Sequence, residues 1–284
     1  MYKEITPNGY GITIETEDKP LYSAQSEFQK VEILSSKGLG NILTLDGLMM
    51  TTVEDEFFYH EMISHIPLCS HPCPESVLVI GGGDGGTVRE VLKHDTVKNI
   101  ELCEIDGLVI EASKQFLPTI AGKLDESRVK IFVEDAIEYI KDKKARYDVV
   151  LIDSTDPMGP GEGLFTEEFY TNVKESLKDG GIVVAQSESP FANPKEMRMM
   201  YRLLHKVFKT VKPYAGPIPT YPGGYWSWAF CTDYTMEAKT IAAPEIQDIE
   251  RAKEIEKTAK LYNTELHKGV FAVPNFVRKI AEDA

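Results

Sequence analysis

The spacing of apolar positions changes character along the chain. Between residue 11 and about residue 52, apolar and polar residues alternate in short stretches: Gly11 to Glu15, Lys30 to Leu34 and Asn41 to Leu45. Gly38, Gly40 and Asp46-Gly47 stand between them as turn signals. A period of two marks strands with one face buried, so residues 1–52 are predicted to form a small antiparallel β domain. From Glu54 to Ser70 the period lengthens to that of a helix with acidic residues in its first turn and Phe58, Met62 and Ile66 as its apolar stripe. Tyr59 and His60 fall off that stripe, as a boundary tyrosine and a surface histidine would.

Beyond residue 53, near-continuous apolar runs alternate with helical stretches. The runs are Ser76 to Ile80, Val97 to Cys103, Arg128 to Val133, Tyr147 to Ile152 and Gly181 to Ala185, with further strands near Thr210 to Tyr214 and Trp226 to Cys231. Helices are expected to reach Phe116 and Lys141, to start near Thr166, and to span Asn193 to Phe208. An unbroken apolar run reads as a strand buried on both faces, and strand–helix alternation builds a parallel sheet. Residues 53–284 are therefore predicted to be one α/β domain of Rossmann-like type, with residues 244–284 as a charged helical tail.

One junction carries the chemistry. The run Val77-Leu78-Val79-Ile80 leads into Gly81-Gly82-Gly83-Asp84-Gly85-Gly86, then into a helix from Thr87. Five glycines directly after a core strand exceed what a surface turn requires, and they suit a backbone that approaches a nucleotide. Gly81-x-Gly83-x-x-Gly86 fits a dinucleotide pattern, with Glu104 near the usual place for a ribose-binding acid. Asp84 argues against NAD, because its carboxylate would repel a pyrophosphate by about 1 to 4 kcal/mol per charge. The loop suits a nucleoside whose tail is neutral or cationic.

Asp84, Glu104, Asp135 and Asp153 stand at or just past the carboxyl ends of successive predicted strands, with Asp156 close by. Ligands of open α/β sheets bind along that edge. A single acid there is commonly a helix N-cap, which is all that Asp135 needs to be; the whole series exceeds what capping requires. Glu104 can accept two hydrogen bonds from ribose hydroxyls, and Asp135-Ala136 can take the exocyclic amine of adenine. A glycine loop followed by two such acids is the nucleoside half of the S-adenosylmethionine-dependent methyltransferase plan. Asp153 and Asp156 would flank the reacting carbon, with Tyr59, Gln186 and Tyr221 as polar wall.

Composition narrows the partners. At 284 residues the chain can bury a sizeable core. Its net charge of −14 disfavours nucleic acid and suits cationic ligands. It shows no apolar run long enough to span a bilayer and no basic-then-apolar leader, which predicts a cytoplasmic protein without a membrane partner. Cys69 and Cys73, with His65 and His71 nearby, match no zinc spacing, and a helix end running into Pro72 and Pro74 explains them; no metal is expected.

Four stretches resemble a known family. They are the glycine loop 81–86, Tyr147-Asp148-Val149-Val150-Leu151-Ile152-Asp153-Ser154-Thr155-Asp156-Pro157, Leu164-Phe165, and Thr220-Tyr221-Pro222-Gly223-Gly224. Together with Tyr59-His60-Glu61-Met62 they are similar to the signatures of spermidine synthases, the polyamine aminopropyltransferases, over nearly the whole chain. The resemblance implies a methyltransferase-like seven-stranded sheet with an N-terminal β domain, assembled as a homodimer or homotetramer. It implies that Gln29, Gly81, Gly83, Glu104, Asp135, Ala136 and Pro160 hold a thioadenosine. His60, Asp84 and Asp156 would bind amine chains, beside Tyr59, Gln186 and Tyr221, and Asp153 would be the base. Trp226-Ser227-Trp228 marks the part of the amine pocket where family members differ, and His60 stands where some carry glutamine.

The implied reaction moves an aminopropyl group from decarboxylated S-adenosylmethionine, a co-substrate, to putrescine, with no cofactor. Cadaverine, agmatine and spermidine remain open as acceptors. An N-methyltransferase using intact S-adenosylmethionine and a non-catalytic polyamine or nucleoside binder remain alternatives, with a dehydrogenase behind them. The Gly/Pro-rich segment Ser154 to Gly163 has the composition of a lid.

Overall fold

The computed structural model describes residues 1–6, 9, 11–155, 159–233 and 244–284. The N-terminal part holds β1 (Tyr2–Ile5) and β2 (Gly11–Ile14), an antiparallel pair, then an antiparallel meander of β3 (Tyr22–Gln25), β4 (Lys30–Ser36), β5 (Gly40–Leu45) and β6 (Leu48–Thr52). The alternating pattern had marked β2, β4 and β5. β1, β3 and β6 escape it because Tyr-Lys-Glu-Ile, Tyr-Ser-Ala-Gln and Leu-Met-Met-Thr-Thr give little apolar alternation.

The larger part begins with α1 (Phe57–Ser70), β7 (Ser76–Gly81), α2 (Gly86–Leu92), β8 (Asn99–Glu104), α3 (Gly107–Phe116), α4 (Pro118–Ala121), β9 (Val129–Val133), α5 (Ala136–Ile140) and β10 (Tyr147–Asp153). A 3-10 segment (Gly159–Leu164) follows, then α6 (Glu167–Ser176), β11 (Leu177–Gln186), α7 (Pro194–Val207), β12 (Thr210–Pro217) and β13 (Tyr225–Thr232). α8 (Ile249–Glu256), α9 (Thr264–Gly269) and α10 (Asn275–Glu282) close the chain. Among the described residues the main sheet has seven strands in the order β12-β13-β11-β10-β7-β8-β9. β13 runs antiparallel to both neighbours, and β11, β10, β7, β8 and β9 are mutually parallel.

The continuous apolar runs divide between the two faces of this sheet. Val77 and Val79 join Val149 and Leu151 under α1 and α2, whereas Leu78 and Ile80 join Val150 and Ile152 under α6 and α7. Each such side chain contributes about 1.5–3 kcal/mol as an upper figure, so the central strands form a stiff frame for the loops at their ends. The meander is fastened to that frame by Val31, Ile33, Leu43 and Leu45, which pack on Val109, Ala112, Leu117 and Ile120 of the α3–α4 region. Among the described residues no helix is long and apolar enough to cross a membrane.

Strand order reverses at β7: the chain passes to β8 and β9 on one side, then crosses to β10 on the other. The gap between the carboxyl ends of β7 and β10 is the switch point where open α/β sheets form a crevice. Gly81 and Asp153 are paired in register there.

Candidate active site

A cavity of about 700 Å³ opens at this switch point. Gly81, Gly82, Gly83 and Asp84 form its floor, with Glu104, Asp135-Ala136, Asp153 and Gln186 arriving from the ends of the next strands. Tyr59 and His60 come from α1, Gln29 from the β3–β4 turn, and Tyr221 from the β12–β13 connection. Leu45, Leu48 and Met50 of the meander complete an apolar wall that alternation alone did not place at a site.

The glycines also make room within the protein itself. Gly81 has a φ of +76° and presses on the Asp153 backbone, so it has neither the torsion nor the space for a side chain. A Cβ on Gly86 would strike the His60 ring. The close approach that requires glycine at these two positions is to the Asp153 backbone and the His60 ring.

At one end of the cavity, Glu104 is held by backbone. Its Oε2 accepts from Gly83 N at 3.1 Å and its Oε1 from Asp106 N at 2.9 Å. Burial pushes its carboxyl up to about 7, against the pull of those two amides. Asp106, the N-cap of α3, accepts from Gln29 Nε2 at 3.1 Å and Ser26 Oγ at 2.7 Å, so the meander buttresses this end. Asp135 caps α5, accepting from Ile137 N at 2.8 Å, and also lines the cavity. The ordinary capping role and the wall position hold together.

The other end is built from side chains. Asp153 Oδ2 accepts from Thr87 Oγ1 at 2.6 Å, and the Tyr59 hydroxyl reaches the same carboxylate. Burial raises the Asp153 carboxyl, and the charge of Asp84 raises it further. Asp84 Oδ1 accepts from Gly86 N at 2.7 Å and faces His60 Nε2 at 3.4 Å. Burial pushes Asp84 up too, but the His60 charge and hydrogen bond, the Gly86 amide and Arg89 outweigh it, holding Asp84 below its usual range. Two carboxyls of one cavity are thus driven apart, the pattern that separates a proton acceptor from a permanent anion.

Tyr59 and His60 correct the helix reading. They are not a boundary tyrosine and a surface histidine but 8% and 2% exposed. α1 is enclosed by α2, α8 and strands of the sheet, so its polar positions point inward and find partners there. Tyr221 packs its ring near Tyr59 and donates its hydroxyl to Met50 O at 2.6 Å, while Gln186 donates to Ser154 O at 3.3 Å. Asp55 ties the start of α1 to this wall by accepting from Thr220 N at 3.1 Å and Thr220 Oγ1 at 2.6 Å. Sequence reasoning missed Thr87, Glu56 and Arg89; the spacing of Glu56 and His60, four apart on a helix, was the available signal. Asp156 lies outside the described residues, as do the neighbouring positions of the expected lid through 158. Pro160 belongs to the 3-10 segment.

Residues 56–240 match a family model described as the spermine/spermidine synthase domain, and residues 1–53 match one described as the spermidine synthase tetramerisation domain. The polyamine aminopropyltransferase of Alkaliphilus oremlandii is 45% identical over 267 residues, covering 93% of this chain and 92% of that protein. A crystal structure of a spermidine synthase in complex with the transition-state analogue AdoDATO superposes with a TM-score of 0.92 at 42% identity, covering 100% of this chain and 95% of that one. The spermidine synthase of Thermotoga maritima superposes at 0.89 with 40% identity, over 99% and 93% of the two chains.

Proposed function

The chain belongs to the spermine/spermidine synthase family, and on that premise we propose that it transfers the aminopropyl group of decarboxylated S-adenosylmethionine to putrescine, giving spermidine and methylthioadenosine. The observation that carries this reading is the anionic end of the cavity, where Asp84 and Asp153 stand beside His60 and Tyr59 with their carboxyls driven in opposite directions.

In this reading Glu104 accepts the two ribose hydroxyls, Asp135 and Ala136 take the adenine, and Gln29 supports that end through Asp106. Gly81, Gly83 and Pro160 border the nucleoside. Asp84 pairs with the amine of the aminopropyl tail and repels the carboxylate that intact S-adenosylmethionine would place there. At about 1 to 4 kcal/mol for such a contact, the discrimination is roughly fivefold to thousandfold. His60, Tyr59, Gln186 and Tyr221 surround the amine chains, to which the family resemblance adds Asp156.

The acceptor enters as an ammonium with a pKa near 10.4, which is not nucleophilic until it loses a proton. Asp153, a stronger base for its burial and its proximity to Asp84, takes that proton. The freed nitrogen lone pair attacks the propyl carbon next to the sulfonium, the C–S bond breaks, and its electrons neutralise the sulfur. Methylthioadenosine leaves uncharged, and the proton passes from Asp153 to solvent. The sulfonium is itself the activated leaving group, so the displacement draws on no resident cofactor or metal; holding the two substrates in line supplies much of the acceleration.

We assign the activity to the cytoplasm, and to a homodimer or homotetramer; assembly into an oligomer is supported by the match of residues 1–53 to a tetramerisation domain. Incubation with decarboxylated S-adenosylmethionine and a panel of putrescine, cadaverine, agmatine and spermidine, with products identified by mass, tests the reading. An aminopropyl adduct of putrescine with stoichiometric methylthioadenosine is expected. Methylated amines from intact S-adenosylmethionine, or no product at all, would replace it with one of the alternatives.

A further inference from the structure

Glu56 does not border the cavity, yet it is 7% exposed and two basic side chains converge on one of its oxygens. Its Oε2 accepts from His60 Nδ1 at 2.6 Å and from Arg89 Nη2 at 2.7 Å. Arg89 is fixed in turn through Nε to Glu90 at 2.9 Å and through Nη1 to the Thr119 carbonyl at 3.0 Å. The other ring nitrogen of His60 faces Asp84 Oδ1, the oxygen that already accepts from Gly86 N. Among the described residues no hydrogen bond reaches Asp84 Oδ2.

We infer that Glu56, braced by Arg89, is a positioning residue for the amine end: it fixes His60 as a doubly protonated bridge to Asp84 Oδ1 and leaves Asp84 Oδ2 for the substrate's ammonium. This rests on the reading of Asp84 as an ammonium site.

A doubly protonated ring suits both contacts, the 2.6 Å hydrogen bond to Glu56 and the 3.4 Å approach to Asp84. A neutral imidazole has one bare nitrogen, and either choice would set that lone pair against a carboxylate oxygen. The ring has little freedom to turn away, because Gly86 leaves it only the space of a missing side chain. The groups around it are Glu56 at the N-cap of α1 and Tyr59 within it, Asp84 in the loop, Arg89 on α2, Asp153 at the end of β10, and Tyr221 beside Tyr59. Glu90 balances Arg89, so the net field at the ring is that of carboxylates. Burial disfavours the cation, but Asp84 and Glu56 outweigh burial and raise His60 well above its ordinary value. In the absence of substrate the bridging cation keeps Asp84 ionised, so the ammonium meets a formed anion.

The chain has six histidines, so the ring nitrogens of His60 can be assigned by comparison with His60→Gln in a nitrogen-15 spectrum. In the wild type both should stay protonated well above the pH range in which a free imidazole titrates. In Glu56→Gln the ring should lose its proton at least about one pH unit lower. Once the ring is neutral its lone pair faces Asp84 Oδ1 and the bridge is lost, so putrescine affinity, measured with methylthioadenosine present, should decline on the alkaline side about one pH unit lower than in the wild type. Glu56→Asp, which restores the charge at shorter reach, should bring both part of the way back. A Glu56 that merely supports the fold would weaken affinity alike at every pH and leave the His60 titration unmoved; that result overturns the inference. Should Glu56→Gln fail to fold, the wild-type spectrum decides alone, since a His60 ring that loses its proton in the free-imidazole range refutes the bridge and one that keeps both protons above that range supports it. None of these measurements needs turnover, so they stand or fall separately from the product analysis.

Discussion

The two ends of the cavity hold their carboxylates by different means. Glu104 is gripped by two backbone amides and Asp135 by the amide of the helix it caps. Asp84 and Asp153 depend on side chains from two separate elements: Tyr59 and His60 of α1, and Thr87 and Arg89 of α2. Backbone amides carry no formal charge and do not titrate, so burial dominates Glu104 and its carboxyl rises to about 7. Side-chain partners carry charge, so they can drive Asp84 down while its own charge helps drive Asp153 up. The first arrangement suits recognition of a neutral ribose, and the second suits holding one cation while deprotonating another.

The sharpest way to break this comparison is Asp153→Asn. It keeps shape and hydrogen bonding but removes proton acceptance, so single-turnover rates at saturating putrescine should fall by about 10² to 10⁴. Methylthioadenosine affinity should survive, because Glu104 and Asp135 are untouched. A wild-type rate would move the base elsewhere.

Gly86→Ala is the next largest. A methyl group there collides with the His60 ring, and overpacking of this kind costs about 1–3 kcal/mol. Putrescine affinity by calorimetry should drop while methylthioadenosine affinity stays nearly constant; equal losses would show that the two ends are not separate.

What the sequence disclosed follows the same division. Glu104, Asp135 and Asp153 were legible because an acid closing an apolar run lands on the sheet edge whatever the rest of the chain does. Asp84 was legible because it interrupts a glycine run. Glu56 and Arg89 were not, since their pairing joins positions 33 residues apart and depends on which way α1 turns. The helix pattern alone put His60 on the surface because an apolar stripe implies a solvent-facing back, and α1 has none: Tyr59 to Ser70 are all buried. The paired runs of β7 and β10 disclosed the parallel core, whereas β1, β3 and β6 are too weakly patterned to be seen without their neighbours.

Glu104→Gln should weaken methylthioadenosine by about 1–3 kcal/mol, the cost of losing charge-assisted hydrogen bonds. Putrescine binding should be unaffected. Unchanged nucleoside affinity would remove Glu104 from the site.

A smaller effect comes from pH. The ionised Glu104 is the form that accepts both ribose hydroxyls, so its share of nucleoside affinity is present above about 7 and lost as pH falls through that value. From about pH 8 to pH 6 the affinity for methylthioadenosine should fall by up to about tenfold, and binding near pH 7 should release a proton. Asp84 is held below its ordinary range and keeps its charge across this window. A flat nucleoside profile would contradict the raised Glu104.

The central claim is that Asp84 makes the amine end select an aminopropyl tail, separately from the grip on the nucleoside. It is tested most directly by measuring the affinities of decarboxylated S-adenosylmethionine, intact S-adenosylmethionine and methylthioadenosine on the wild type and on Asp84→Asn. The account predicts a roughly fivefold to thousandfold wild-type preference for the decarboxylated form. It predicts that Asp84→Asn largely abolishes this preference and leaves methylthioadenosine affinity unchanged. A preference that survives the substitution, or a methylthioadenosine affinity that falls with it, would contradict the account.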